Sequence, residues 1–134
     1  MNQRNTGYWV ATVLFSLVYF GSGLADVLHA SPVIETLGHL GYPAYFASII
    51  GPWKIAAAIT LVAPKLPKVK EWAYAGVVFD LTGALASHAI VGDHGPKQIV
   101  PIVLLGLLVV SYRSRFGNRV AGDIGMQETA PSSL

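Results

Sequence analysis

Residues 45–64 read YFASIIGPWKIAAAITLVAP, an apolar run with a single lysine, Lys54, near its middle. A helix needs about 20 mostly apolar residues to cross roughly 30 Å of hydrocarbon, and this run has that length. An ionisable side chain near the bilayer centre costs about 3 kcal/mol on insertion scales, so it turns toward a bundle interior and takes a partner there. The totals agree with a membrane setting. Of 134 residues, 53% are hydrophobic and 12% charged, and the mean hydropathy is +0.53, whereas a soluble domain carries about 25% charge.

Working outward from this stretch, three more segments are long and apolar enough to span. The four expected spans are Tyr8 to Leu28, Ala44 to Ala63, Glu71 to Val91 and Gln98 to Tyr112. The first is longer than the core of a secretory signal, although "LHA" before Ser31 resembles a weak cleavage site. Basic residues fall at Arg4, at Lys65, Lys68 and Lys70, and at Arg113, Arg115 and Arg119, while the remaining two loops hold only Lys97. The positive-inside rule then places both termini and the loop PKLPKVK in the cytoplasm, with residues 29–43 and 92–97 outside. The expected fold is all-α, an integral membrane four-helix bundle with a short outer amphipathic segment. Residues 1–116 form the membrane domain and 117–134 a polar cytoplasmic tail, unstructured at its end.

The amphipathic segment is ASPVIETLGHLGYP. Ser31 is a candidate N-cap with Pro32 at the first helical position. Val33, Ile34, Leu37 and Leu40 follow at helical spacing, and Gly41 and Pro43 would stop the helix. Such a turn lies on the outer face or folds back onto the bundle. At the other side, Glu71 is expected to open its helix and meet the positive end of the dipole.

Several function classes are excluded by composition. The chain has no cysteine, which removes disulfides, thiol redox chemistry and thiolate metal sites. Its pI of about 9.0 does not indicate nucleic acid, because the basic residues sit at the ends of apolar runs instead of on an aromatic-studded polar face.

The polar residues inside the spans carry the functional reading. Lys54 lies about 16 Å from the outer end of its span and Asp80 about 14 Å from the inner end of its own. Equal depth and opposite charge make Lys54–Asp80 the expected ion pair, either as site or as register lock. Ser16, Tyr19, Ser22 or Gly23, Asp26 and His29 step along one face of the first span, and Asp80, Ala84, Ser87 and His88 along one face of the third. Stacked by depth, these form a polar funnel open to the outside, with Asp93 and His94 at its rim. Small residues, among them Gly51, Ala56 to Ala58, Gly76, Gly83 and Ala84, are read as helix packing. Pro52 frees the carbonyl of Ser48 and invites a kink. Trp9 and Trp72 suit the headgroup level. Trp53 either stacks on a flat ligand or fills the kink.

The candidate catalytic residues are Asp26, His29, Lys54, Asp80 and His88, and the candidate substrate contacts are Tyr19, Ser22, Trp53 and Ser87. Carboxylates and imidazoles in a dry pocket suit acid and base work on a lipophilic substrate. His29, His88 and Asp26 are metal-ligand types, but no compact motif such as H-E-x-x-H gathers them, and no metal is assigned. Ser87 beside His88 lacks a nucleophile elbow. His39 and His94 read as interfacial residues that bind nothing.

The run LGYPAYFASIIGPWKIAAAITLVAPKLPKVKEWAYAGVVFDLTGALASHAIVGD, residues 40–93, resembles the DoxX-like family of small bacterial four-helix membrane proteins. Its most specific elements are Leu40-Gly41-Tyr42-Pro43, Gly51 with Lys54, Pro64, the run Lys70 to Gly76, Asp80, Gly83-Ala84, Ser87-His88 and Gly92-Asp93. The resemblance implies the bacterial inner membrane. It also implies kinship with a membrane subunit of a thiosulfate:quinone oxidoreductase and with respiratory or oxidative-stress functions. Lacking cysteine, this chain departs from the thiol-dependent members, so redox work would proceed by holding a quinone or recruiting an oxidoreductase partner protein. The expected partners are the lipid bilayer, a lipophilic small molecule such as a quinone, that partner protein, and a second copy of the chain. The rival readings are a redox-neutral acid/base enzyme, either an isomerase or of hydrolase/lyase type, on a hydrophobic substrate, and a non-catalytic structural membrane subunit.

Overall fold

A computed structural model describes the backbone of residues 3–129 and the side chains of residues 6–115, 124 and 125. Five helices follow one another: α1 (Gln3–Val27), α2 (Ser31–Leu40), α3 (Tyr45–Val62), α4 (Pro67–Ile90) and α5 (Pro96–Thr129). All but α2 contain a stretch long and apolar enough to cross a membrane: Thr6–Val27, Tyr45–Val62, Pro67–Ile90 and Pro96–Arg115. The chain is an all-α membrane bundle. α1 packs on α3 and α5, and α4 packs on the same two, so the long helices close a ring α1–α3–α4–α5.

In lipid there is no hydrophobic drive between helices, so association rests on close packing and interhelical hydrogen bonds. Both are present. Phe15, Leu61, Val77 and Leu108 are buried at the ring's centre. Beside them the Ser111 hydroxyl bonds to Thr12, and also to the Tyr74 hydroxyl at 2.7 Å, joining α1, α4 and α5 through buried groups.

The closest approach is between α1 and α3. A Cβ built on Gly23 would lie 2.9 Å from the Gly51 carbonyl oxygen and 2.8 Å from Lys54 Cβ. One built on Gly51 would lie 2.9 Å from the Gly23 carbonyl and 3.0 Å from Asp26 Cβ. The two helices are antiparallel, and each glycine is covered by the charged residue three positions beyond the other. Gly76 and Gly83, expected to pack helices together, have nothing within 4 Å; the small residues that matter are on α1 and α3.

The ends of the helices are cut by backbone geometry. Gly41 (φ 84°) closes α2, with Gly41 N–H on the Gly38 carbonyl and Tyr42 N–H on that of Leu37, a Schellman pairing. Gly92 (φ 81°) closes α4 in the same way, through Gly92 to Ala89 and Asp93 to His88. α2 begins one residue earlier than expected: Ser31 is already helical, and the N-cap is Ala30, without a side-chain cap. α4 begins at Pro67, so Glu71 sits a turn inside it and accepts a hydrogen bond from Arg115 instead of capping the helix. α5 runs to Thr129 with no proline after Pro101, which makes the polar segment after Gly117 helical that far. The expected unstructured end, 130–134, lies outside the described residues.

The Gly23–Gly51 contact leads to a clear contrast. Gly23→Ala or Gly51→Ala forces backbone against Cβ and should cost about 1–3 kcal/mol, read as a lower thermal midpoint in detergent. Gly76→Ala and Gly83→Ala should leave the midpoint unchanged or raise it.

Candidate functional site

The α1–α3 crossing brings two charges together. Lys54 Nζ lies 2.9 Å from Asp26 Oδ2, with both side chains largely buried. It also donates to Ser22 Oγ at 3.3 Å and sits 5.8 Å from the Tyr19 ring centre. The Asp26 contact is a charge pairing without hydrogen-bond alignment, since Oδ2 has no aligned donor among the described residues. The expected Lys54–Asp80 pair is therefore corrected: Lys54 pairs with Asp26. The flexible lysine stem carries the ammonium well away from its Cα depth, so matching the charges by Cα depth chose the wrong carboxylate.

Asp80 has a different partner. Its Oδ2 accepts the Tyr19 hydroxyl at 2.7 Å, and no other protein donor reaches the carboxylate among the described residues. The two carboxylates, Lys54, Tyr19 and Ser22 form one end of a cavity of about 590 Å³. Its walls are apolar, with Leu37 and Leu40 from α2, Phe46 and Ile50 from α3, and Val100 and Leu104 from α5. Ser87, His88, Tyr42 and Lys97 make a second polar group on the same cavity. Eight residues of α4 separate Asp80 from His88, about 12 Å along the axis.

α2 covers this second group. Its fold-back is fastened at two points: the Tyr42 hydroxyl hydrogen-bonds Ser87 Oγ at 2.8 Å, and His39 Nε2 lies 2.8 and 2.9 Å from the two Asp93 oxygens. His39, expected to bind nothing, thus ties α2 to the α4–α5 loop. Asp93 also accepts from His88 Nδ1 at 2.8 Å and from Lys97 at 3.4 Å. The hydrogen bond from His88, followed by that from His39, holds the Asp93 carboxyl well below the usual carboxylate range. Partial burial opposes them, and Lys97 adds a smaller lowering effect.

Of the residues expected at the site, Tyr19, Ser22, Asp26, Lys54, Asp80, Ser87 and His88 all line the cavity. His29 and Trp53 do not. His29 occupies a left-handed position (φ 51°) where α1 ends, and its Nε2 bonds Ser48 Oγ at 2.7 Å; it fastens a turn. Trp53 is 72% exposed on the outside of the ring, so it neither lines this cavity nor packs into the bundle. Among the lining residues that sequence reasoning missed are Tyr42, Lys97, Phe46 and the inner face of α2. The signal for Tyr42 was its place after Gly41, which a Schellman stop turns back toward the bundle.

Among the described residues no group of three or more histidines and carboxylates is arranged to hold a metal ion. Chemically, the cavity offers an ammonium with a donor to spare, a carboxylate oxygen with no protein donor, and an imidazole at the far end. These features define a small multi-pass membrane protein with a polar cavity inside a helical ring. The chain belongs to the DoxX-like family, whose model matches residues 10–111. No curated protein and no solved structure matches it.

Two measurements check this geometry. In a double-mutant cycle, Lys54→Ala should destabilise by about 3–5 kcal/mol by stranding Asp26. Asp26→Ala combined with it should restore part of that loss, with a coupling of about 0.5–3 kcal/mol. The cycle with Asp80→Ala should give a smaller coupling, and the reverse ranking would overturn the assignment. For Asp93, a depressed folded-state value means stabilisation that is present above the free carboxyl's range, near pH 3.9, and is lost as pH falls through the folded value. Asp93→Asn should therefore lower the thermal midpoint at neutral pH, and the gap to wild type should close on strong acidification.

Proposed function

We propose that this protein holds a lipophilic small molecule of the quinone class in the α2-covered cavity, as an enzyme or as the membrane subunit of an oxidoreductase. The observation that carries the reading is the cavity's composition: apolar walls with ionisable groups at both ends. Its volume, about 590 Å³, falls in the range of small-molecule sites. A quinone bound there would supply the electron chemistry, and its reduction takes up protons as well as electrons. This chain's own groups would handle those protons. Lys54 directs its remaining donor at a carbonyl oxygen, Asp80 accepts from a hydroxyl of the reduced form, and His88 exchanges protons at the other end. The distribution of lysine and arginine supports an orientation with both termini cytoplasmic and α2 on the outer face of a bacterial inner membrane.

A second reading, redox-neutral acid and base chemistry on a hydrophobic substrate, is favoured by one feature, the His88–Asp93 contact, which requires no electron donor. In that reading Lys54 stabilises developing negative charge. A purely structural subunit would need neither a free carboxylate oxygen at Asp80 nor a covered cavity.

The test is extraction in mild detergent followed by mass spectrometry of the co-purified small molecules. Wild type should carry a quinone, and Lys54→Ala and Asp80→Asn should each lose at least tenfold in occupancy, about 1.4 kcal/mol. Trp53→Ala, outside the cavity, should retain it. A quinone-free wild type, or one whose quinone survives both cavity substitutions, would overturn the quinone reading.

A further inference from the structure

The cavity reading leaves Asp93 unused. Its carboxylate takes contacts from three side chains, His39, His88 and Lys97, and it touches the cavity only through others. Its backbone is fixed on both sides: its N–H donates to the His88 carbonyl at 2.9 Å, and its carbonyl accepts the Gln98 side-chain amide at 2.7 Å. The Schellman turn at Gly92 thus folds Asp93 back over the helix end. Its carboxylate then meets the imidazole of the residue whose carbonyl its backbone already holds. His88 and Asp93 are joined twice, once by backbone and once by side chain.

A carboxylate only accepts, so the His88 nitrogen facing it must carry the hydrogen. That nitrogen is Nδ1. In the neutral ring Nε2 is then the lone-pair atom. His88 lines the cavity, and Nε2 has no protein partner among the described residues. The groups facing Asp93 come from each neighbouring element: His39 from α2, His88 from α4 and Lys97 from α5. All three are donors, and together they keep the carboxylate charged and fixed.

We infer that Asp93 is a positioning residue: it locks His88 in the Nδ1–H tautomer and presents Nε2 to the cavity as the proton-exchanging atom. The inference rests on the cavity being a ligand site. In the step it supports, a proton leaves an O–H or C–H of the ligand for Nε2. The Nδ1–H bond to Asp93 is kept, and the carboxylate stabilises the imidazolium without itself becoming protonated, as in hydrolase triads. The proton then returns to the ligand or leaves to water. Because His39 shares the same carboxylate, the base is best fixed while α2 is docked over the cavity.

The experiment is nitrogen NMR of the full chain labelled with ¹⁵N-histidine, in nanodiscs and at a pH where the imidazoles are neutral. The His88 signals are assigned by their loss in His88→Gln. Wild type should show His88 as a single Nδ1–H tautomer. Asp93→Asn should shift it toward Nε2–H, because an amide N–H can donate to Nδ1, and Asp93→Glu should restore the Nδ1–H form at least in part. A wild-type His88 in the Nε2–H form, or in a mixture like that of free imidazole, overturns the inference, and the wild-type spectrum decides this even where a variant fails to assemble. So does an Asp93→Asn spectrum unchanged from wild type. The spectrum does not depend on which ligand co-purifies, so the positioning role and the quinone reading fail separately.

Discussion

The contact on which the cavity depends is the approach of α1 to α3 at Gly23 and Gly51. Each glycine faces the other's carbonyl at a distance that excludes any side chain, and each is followed three residues later by a charge. Asp26 and Lys54 therefore arrive over the opposite glycines and pair. In hydrocarbon such an arrangement joins the two terms that hold membrane helices, close backbone packing and a polar contact that cannot be exchanged for water. The pair also sets the near boundary of the cavity, since Ser22 and Tyr19, one and two turns back along α1, are held beside the ammonium.

The far boundary is built by loop geometry. Two helices, α2 and α4, end in left-handed glycines, Gly41 and Gly92, and each stop hands the next residue to the cavity region: Tyr42 to Ser87, and Asp93 to His88 and His39. These contacts hold α2 over a space it would not otherwise cover, because α2 has no buried residue of its own. A helix so lightly packed sits at the low-stability end of the structure, where elements that admit ligands are commonly found.

Periodicity made much of this legible. The spans fall within a few residues of their expected places, and the polar stripe of α1 from Tyr19 to Asp26 and that of α4 from Asp80 to His88 do converge on one cavity, while Ser16, expected in the same stripe, stays outside it. What failed were inferences from neighbourhood. Trp53 adjoins Lys54 in sequence, but successive helical residues diverge by about 100°, so turning the lysine inward turns the tryptophan outward. His29 continues the α1 stripe numerically, yet the helix has already ended there in a left-handed turn that no stripe foretells. Asp80 matched Lys54 in depth, whereas the actual partner was marked by a different pattern, a glycine three residues before a charge in both GLAD and GPWK. The Asp93 cluster needed the α2 fold-back, a tertiary fact. α2's amphipathic face was visible, but not the surface it would seek.

The two carboxylates at the cavity, Asp26 buried and Asp80 partly so, can be weighed against each other. Asp26 is compensated by Lys54, and the pair fixes a helix crossing, so its cost has a structural return. Asp80 receives one neutral hydroxyl, from Tyr19, at a position where an ionisable group costs about 3 kcal/mol on insertion scales. A phenylalanine at 19 and a leucine at 80 would join α1 to α4 without that cost. The helix contact alone therefore does not account for Asp80. Its remaining oxygen borders an apolar-walled cavity whose opposite end carries an imidazole, and a ligand with a polar group at each end would engage both. On this balance the Asp26–Lys54 pair belongs first to the scaffold, Asp80 is left to the cavity it lines, and Lys54's spare donor lies between the two.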